Sequence, residues 1–273
     1  MRLSARLGYA IPLLLPGALA WACSSSRTSA TPAAQVDAGA GSTEAGAPDV
    51  VVAVGEVKQT GRILAARAAT PVENATITVG SKSATTGADG KYAIAVPKGT
   101  PHRMKIAGEG SYNLLEQEWI LDKDTDRGDT SFLSKTLANI LLSFFADMDK
   151  SKGVLTMTVN PRGCPSIDGA IVTLEPPGSA KVKYARGGIP SDEVGAKPDE
   201  LPTAIFYNIE PGKVITVKVT HPSCIQLPYP IEADGFKLTG STTTEGGESI
   251  SYFRTYLGPG PTSDAGPADA AKD

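Results

Sequence analysis

From Val57 to Ile120 apolar residues recur at every second position: Ile77 and Val79, then Tyr92, Ile94 and Val96, then Met104 and Ile106, with Thr, Lys or Ala between them. That period is the one a strand needs in order to bury a single face. The stretch ATTGADGKYAIAVPKG, 84–99, predicts a hairpin: Asp89-Gly90 suits a two-residue primed turn, and Pro97 with Gly99 ends the second strand where a ladder N–H is no longer needed. A small antiparallel sandwich follows. After it the period changes, because Leu133, Leu137, Ile140, Leu141, Phe144 and Met148 recur at helical spacing, with Asp129 to Ser131 offering a start and Gly153 following the end. Leu142 and Phe145 widen the apolar face, so this helix is expected to pack on the first half or between the halves. A helix lying on a membrane surface would gain little from anionic lipid, since Lys135 is almost its only interior base.

The strand pattern then returns. Asp168-Gly169-Ala170-Ile171-Val172-Thr173-Leu174 repeats the turn and second strand of the first half, Tyr207 to Gly212 repeats Ile94 to Gly99, and Val217 and Val219 stand where Met104 and Ile106 stood. The difference is a polar insertion, about 176–202, holding Arg186-Gly187-Gly188 and the acids Asp192, Glu193, Asp199 and Glu200. Such a loop is expected either to carry specificity or to be a disordered excursion.

The ends have a different composition. Arg2 and Arg6 precede an apolar run, Ile11 to Ala22, that is too short to span a bilayer and is broken by Pro12 and Pro16, which predicts a signal peptide over 1–22. From Cys23 to about Pro48 the chain is Ser, Thr, Ala, Gly, Pro and scattered acids, too poor in apolar residues to order itself; a tether over 23–54 is expected, and the tail over 258–273 repeats its chemistry. The fold class predicted is mainly β, with sandwich domains over 55–122 and 153–257 joined by an acidic loop and one amphipathic helix over 123–152. A net charge of −3 without a basic cluster excludes nucleic acid as a partner.

Two resemblances sharpen this outline. Leu19-Ala20-Trp21-Ala22-Cys23-Ser24 resembles the lipobox of bacterial lipoproteins, with Ala20 and Trp21 where that pattern carries an aliphatic and a small residue. The resemblance implies a lipid on Cys23 and a membrane as partner, the alternative being plain secretion after cleavage at Ala22. Ser24 instead of Asp implies the outer membrane. With Cys23 given to lipid, Cys164 and Cys224 remain as a pair, expected as a disulfide in an oxidising compartment and otherwise as two buried thiols. In the first half, Gly61-Arg62-Ile63-Leu64, then Pro71-Val72-Glu73-Asn74-Ala75-Thr76-Ile77-Thr78-Val79, then Thr85-Thr86-Gly87-Ala88-Asp89-Gly90-Lys91-Tyr92 and Pro97-Lys98-Gly99 resemble the carboxypeptidase regulatory-like domains, which have a prealbumin (transthyretin) sandwich. Asn74 stands where the family has glycine, and asparagine tolerates the left-handed backbone that glycine would take there. The resemblance implies an accessory module and no particular activity.

Candidate chemistry is sparse. Asp122-Lys123-Asp124-Thr125-Asp126-Arg127-Gly128-Asp129 alternates oxygen ligands as a calcium loop does, but Arg127 and Leu133 occupy the places of the EF-hand glycine and bidentate glutamate, so an acidic loop without metal is expected. The two histidines, His102 and His221, fall one in each half, and no nucleophile elbow, phosphate loop or dinucleotide fingerprint occurs. Tyr252-Phe253-Arg254-Thr255 is not the Tyr-Arg-Gly-Ser end of the prealbumin-like hydroxyisourate hydrolases, and the two-Tyr, two-His iron set of intradiol dioxygenases is lacking. The expectation is therefore a non-catalytic envelope lipoprotein without cofactor, structural or in contact with an envelope protein. A carbohydrate-binding module is the alternative, with Trp119, Tyr184 and Arg186 as the candidate contacts; a divergent hydrolase is the remote one. Trp119 also alternates with Leu115 and Leu121, which would turn it to the core.

Overall fold

Alternate residues of β1 (Glu56–Ala65) are buried, beginning with Val57, Gln59, Gly61 and Ile63, and this face starts the first core. The computed structural model describes residues 50–198 and 200–260; the expected signal peptide, Cys23, most of the tether, Asp199 and the tail past Gly260 lie outside the described residues. β1 is followed by β2 (Thr76–Val79), β3 (Lys82–Thr85), β4 (Lys91–Pro97), β5 (Met104–Ala107), β6 (Asn113–Glu116), β7 (Trp119–Ile120) and β8 (Thr125–Phe132). After α1 (Lys135–Leu142) come β9 (Gly153–Pro161), β10 (Ile171–Glu175), β11 (Lys181–Arg186), β12 (Ile189–Ser191), β13 (Ala204–Ile209), β14 (Ile215–Thr220) and β15 (Cys224–Gln226). The chain closes with β16 (Ile231–Ala233), β17 (Phe236–Leu238), β18 (Ser241–Thr242) and β19 (Ser249–Pro259). No helix among the described residues is long and apolar enough to cross a membrane.

Each half is a sandwich. In the first, the sheet β4-β1-β8 faces β2, β5 and β6 across Ile63, Ile77, Tyr92, Met104, Ile106 and Phe132. In the second, β10-β14-β18 faces β11, β13, β9 and β19 across Leu155, Met157, Val172, Phe206, Val217 and Phe253. The strand pairing repeats: β1 with β4 and β9 with β13 are antiparallel, β2 with β5 and β10 with β14 are antiparallel, and β1 with β8 and β9 with β19 are parallel.

The halves share a sheet. β19 lies between β9 and β6, parallel to both, so a ten-stranded sheet runs from β12 in the second half to β3 in the first. The hairpin of β16 and β17 crosses the other way: Leu238 pairs with Trp119 in β7, and Ala233, Phe236 and Leu238 complete the first core. A third apolar cluster, with Leu133, Ala138 and Phe145 against Val154, Tyr207 and Ile250, seats α1 between the halves.

Five expectations are corrected by these pairings. Residues 84–99 are a corner and not a hairpin, because β3 pairs with β2 while β4 pairs with β1 in the opposite sheet. Gly90 makes the corner at φ +76, so close to β1 that a Cβ would stand 2.5 Å from the carbonyl oxygen of Ile63. The helix is shorter than its apolar period and does not join the halves alone. It starts at Ser134, whose Oγ accepts from Leu137 N, and gives way after Leu142 to turns held by the end of β13, where Asn208 Oδ1 accepts from Asp149 N at 2.8 Å. The acidic loop is largely strand β8, a polar edge laid parallel to β1. The insertion over 176–202 builds β11 and β12, which extend the large sheet, and the last strand runs on to Pro259, past the expected start of the tail. Asn74 does take the left-handed backbone, at φ 60.

Burial leaves a pH signature. Tyr92 is fully enclosed, with its hydroxyl accepting from Gln59 Nε2 at 3.0 Å, and burial pushes its pKa up to about 12. Burial also pushes Tyr229 up to about 12. A folded pKa above the unfolded value near 10 means that the stabilisation is complete below pH 10 and is lost as pH climbs towards 12. Stability measured by urea at successive pH values should be level up to pH 10 and then fall by about 2 kcal/mol for each of these tyrosines by pH 12. Tyr92→Phe should remove its share of that fall.

Candidate functional site

The charged side chains that are most deeply placed gather where the halves meet. Glu116 ends β6 opposite Tyr252 of β19 and is 3% exposed; Arg127 reaches it from β8 and forms an ion pair through Nη2. The Arg127 guanidinium lies 5.0 Å from the centre of the Phe236 ring, brought across by the second-half hairpin. Phe236 in turn meets Trp119 edge-on, with ring centres 5.4 Å apart. From β19, Arg254 donates to Asp234 at 2.6 Å, while its backbone N–H donates to Gln117 Oε1 at 2.9 Å. Trp119 and Arg127, each with a buried donor without an acceptor (Nε1 and Nη1), are among the residues that line with Glu116 a cavity of about 10 Å³, near the space one water needs.

Further contacts close the seam on both sides of this cluster. Arg103 donates to Thr243 Oγ1 at 2.6 Å, Lys105 pairs with Glu245 at 2.7 Å, and Gln117 Nε2 donates to the carbonyl of Thr239 at 2.6 Å. In the cluster itself each of the two guanidiniums faces a carboxylate of its own half, Arg127 that of Glu116 and Arg254 that of Asp234, so the charges neutralise one another; the halves meet there through Arg127 over Phe236 and Arg254 N on Gln117. The sequence does not mark Glu116 and Arg127 as partners: the one follows two leucines in β6, and the other sits inside an acidic run that reads as a loop. The signal that could have found Glu116 is its place directly after Leu114 and Leu115 and before the alternating Trp119 and Leu121.

The three residues predicted to contact a ligand are not brought together. Trp119 is 1% exposed inside the first core and has no open ring face for a sugar. Tyr184 is buried in the second core, where its hydroxyl accepts from Val172 N at 2.9 Å and ties β11 to β10; burial raises its pKa. Arg186 staples the insertion, donating to Glu193 Oε2 at 3.0 Å and to the carbonyls of Ala185 and Gly195 at 2.6 Å each. Beside it, Glu200 accepts from the backbone N–H groups of Gly187 and Gly188.

Three of the four acids of 122–129 point to separate partners. Asp124 accepts from Lys58 N at 2.7 Å, Asp126 from Gly128 N at 3.0 Å, and Asp122 pairs with Lys237. His102 Nε2 lies 2.9 Å from the carbonyl of Pro97 and His221 Nε2 3.0 Å from that of Asp168, each within its own half.

Cys164 and Cys224 form a disulfide with Cα atoms 5.8 Å apart, closing a span of 60 residues. It fastens the loop after β9 to β15, which pairs with the end of β19. His221 stands beside the sulfurs, which are already bonded to each other. Replacing both cysteines by serine should cost about 2–4 kcal/mol, because the unfolded chain regains the freedom of that loop. Urea unfolding with and without reductant measures it, and only the wild-type midpoint should respond to reductant.

No protein-family model matches the chain, and no curated protein matches it in sequence. Among solved structures it is similar to the Bacillus anthracis TIE protein, at 11% identity and a TM-score of 0.24 over 75% of this chain and 34% of that one. It is similar also to a streptococcal ancillary pilin, at 11% identity and 0.24 over 76% and 63%, and to GBS52, the minor pilin of Streptococcus agalactiae, at 14% and 0.20 over 75% and 98%. The chain thus spans about a third of the first of these proteins and under two thirds of the second. With superpositions this partial, the mainly β, several-sheeted fold rests on the chain's own strand pairing.

Proposed function

We propose that this chain is a non-catalytic module of the cell envelope, held to the outer membrane by a lipid on Cys23 and presenting a rigid β body to an envelope protein or polysaccharide. The observation that carries the reading is the sheet shared by both halves, closed by the crossing hairpin, whose Phe236 lies against Arg127 of the first half. Arg103, Lys105 and Gln117 of the first half reach across to Thr243, Glu245 and Thr239 of the second. The disulfide supports export, since such bonds persist outside the reducing cytoplasm. The apolar run before Cys23 supports it as well. The left-handed Asn74 and the packed corner at Gly90 support the carboxypeptidase regulatory-like reading of the first half.

Cells fed a labelled fatty acid test the proposal. The wild-type protein should take up label and sediment with outer-membrane fragments, and Cys23→Ser should lose both properties. An unlabelled, freely soluble wild type overturns the anchor. Turnover of a polysaccharide or ester by the purified protein overturns the non-catalytic role.

A further inference from the structure

Both terminal strands of the body lie inside their sheets. β1 is flanked by β4 and β8, pairing with β8 in parallel from Gln59↔Thr125 to Ala65↔Phe132. β19 is flanked by β9 and β6 and is parallel to both, from Ser251↔Leu155 to Leu257↔Pro161 on one side and from Ser249↔Asn113 to Tyr252↔Glu116 on the other. Here the first strand and the last are both held on two sides.

The direction of these pairings matters under tension. When two neighbouring strands run parallel and are pulled by the start of one and the end of the other, the force runs along the strands and every hydrogen bond between them shares it. β1 enters from the tether, and β8 leaves its partner to lead through α1 into the second half. The second half repeats the arrangement, with β9 entering from the first half and β19 leaving towards the C-terminal tail. An antiparallel pair pulled from two adjacent ends opens one bond after another instead. Forced opening is set by the barrier to unfolding and not by equilibrium stability, so pulling geometry alone changes the strength of one and the same protein.

We propose that the chain is a load-bearing link, in which tension between its two ends is carried in shear by β1 against β8 and by β19 against β9 and β6. The disulfide adds a stop, because the 60-residue span between Cys164 and Cys224 cannot be drawn out while the bond is intact. The envelope reading supplies only the source of the load; the clamps belong to the fold and stand or fall separately from the anchor.

Single-molecule pulling of the chain from Cys23 onward tests this with no destabilising substitution. One handle is placed on the Cys23 thiol and the other on the C-terminus at Asp273. In a second arrangement the far handle is on Lys98→Cys, next to the end of β4, so that β1 and β4 are opened from Glu56↔Pro97 inward. The end-to-end rupture force should be several-fold the force in the second arrangement. Reductant should lengthen the end-to-end extension by about 200 Å, at the reach of ~3.5 Å per residue over the enclosed span. Equal rupture forces in the two arrangements overturn the proposal, whatever the labelling of Cys23 shows. End-to-end opening at low force with the full extension already present before reduction overturns it too.

Discussion

Arg127→Met should destabilise the protein by about 3–5 kcal/mol, since it strands the Glu116 carboxylate inside the seam with no counter-charge. Glu116 is 3% exposed and the Arg127 side chain 11%, so bulk solvent cannot replace the lost counter-charge as it would at a surface pair. Met keeps much of the arginine stem but loses the guanidinium that also lies over Phe236. Urea unfolding should show a lower midpoint at unchanged slope, as a change in stability without a change in exposed surface requires. The double variant Glu116→Leu with Arg127→Met should recover most of the loss, because an apolar pair of similar bulk carries no desolvation cost. A single variant costing under about 1 kcal/mol would mean that the pair behaves as a solvated one, and burial under the second half would then add nothing to it.

How much of this could be read in the residues depends on which force placed each element. Period-two alternation locates β2, β5, β10 and β14 because each buries one face and leaves the other more open, whereas β4 is buried on both faces from Tyr92 to Val96, its second face carrying only the small Ala93 and Ala95. Thr86 of the Thr-Thr-x-x-Asp-Gly run has a local role that explains the motif: its hydroxyl accepts from Ala75 N at 2.9 Å and donates to the carbonyl of Val72 at 2.7 Å, closing the corner. Which strand pairs with which is another matter. Asp89-Gly90 is compatible with a hairpin turn and with a corner, and only the packing of Gly90 on β1 decides between them. β8 was hidden because its side chains are mostly polar and its partner, β1, is distant in the chain. The shared sheet has no local mark at all, since β19 reads as an ordinary strand whether it ends one half or joins two. The disulfide was legible by cysteine arithmetic, whereas the Glu116–Arg127 lock rests on two residues that look solvated until the second half is laid over them.

Trp119→Ala should cost about 3–5 kcal/mol, the range for removing a large ring from a core that cannot close over the gap. The ring is enclosed by Phe236 and His102, at centre distances of 5.4 Å and 5.8 Å, and its strand holds the crossing hairpin through Leu238. A sugar platform would behave in the opposite manner, losing polysaccharide binding at unchanged stability, because an exposed ring contributes little to the fold. Circular dichroism during urea unfolding measures the stability of both forms, since the variant has lost Trp119 as a fluorescent reporter and Trp21 falls in the expected signal peptide. Retention on insoluble polysaccharide, normalised to the folded fraction, should be the same for both. The loss should also fail to add to that of Arg127→Met, because both substitutions act through the one Phe236 ring, and residues that share a partner couple. If the double variant instead costs the simple sum, the ring and the ion pair support the seam independently, and Phe236 is not the point through which the second half grips the first.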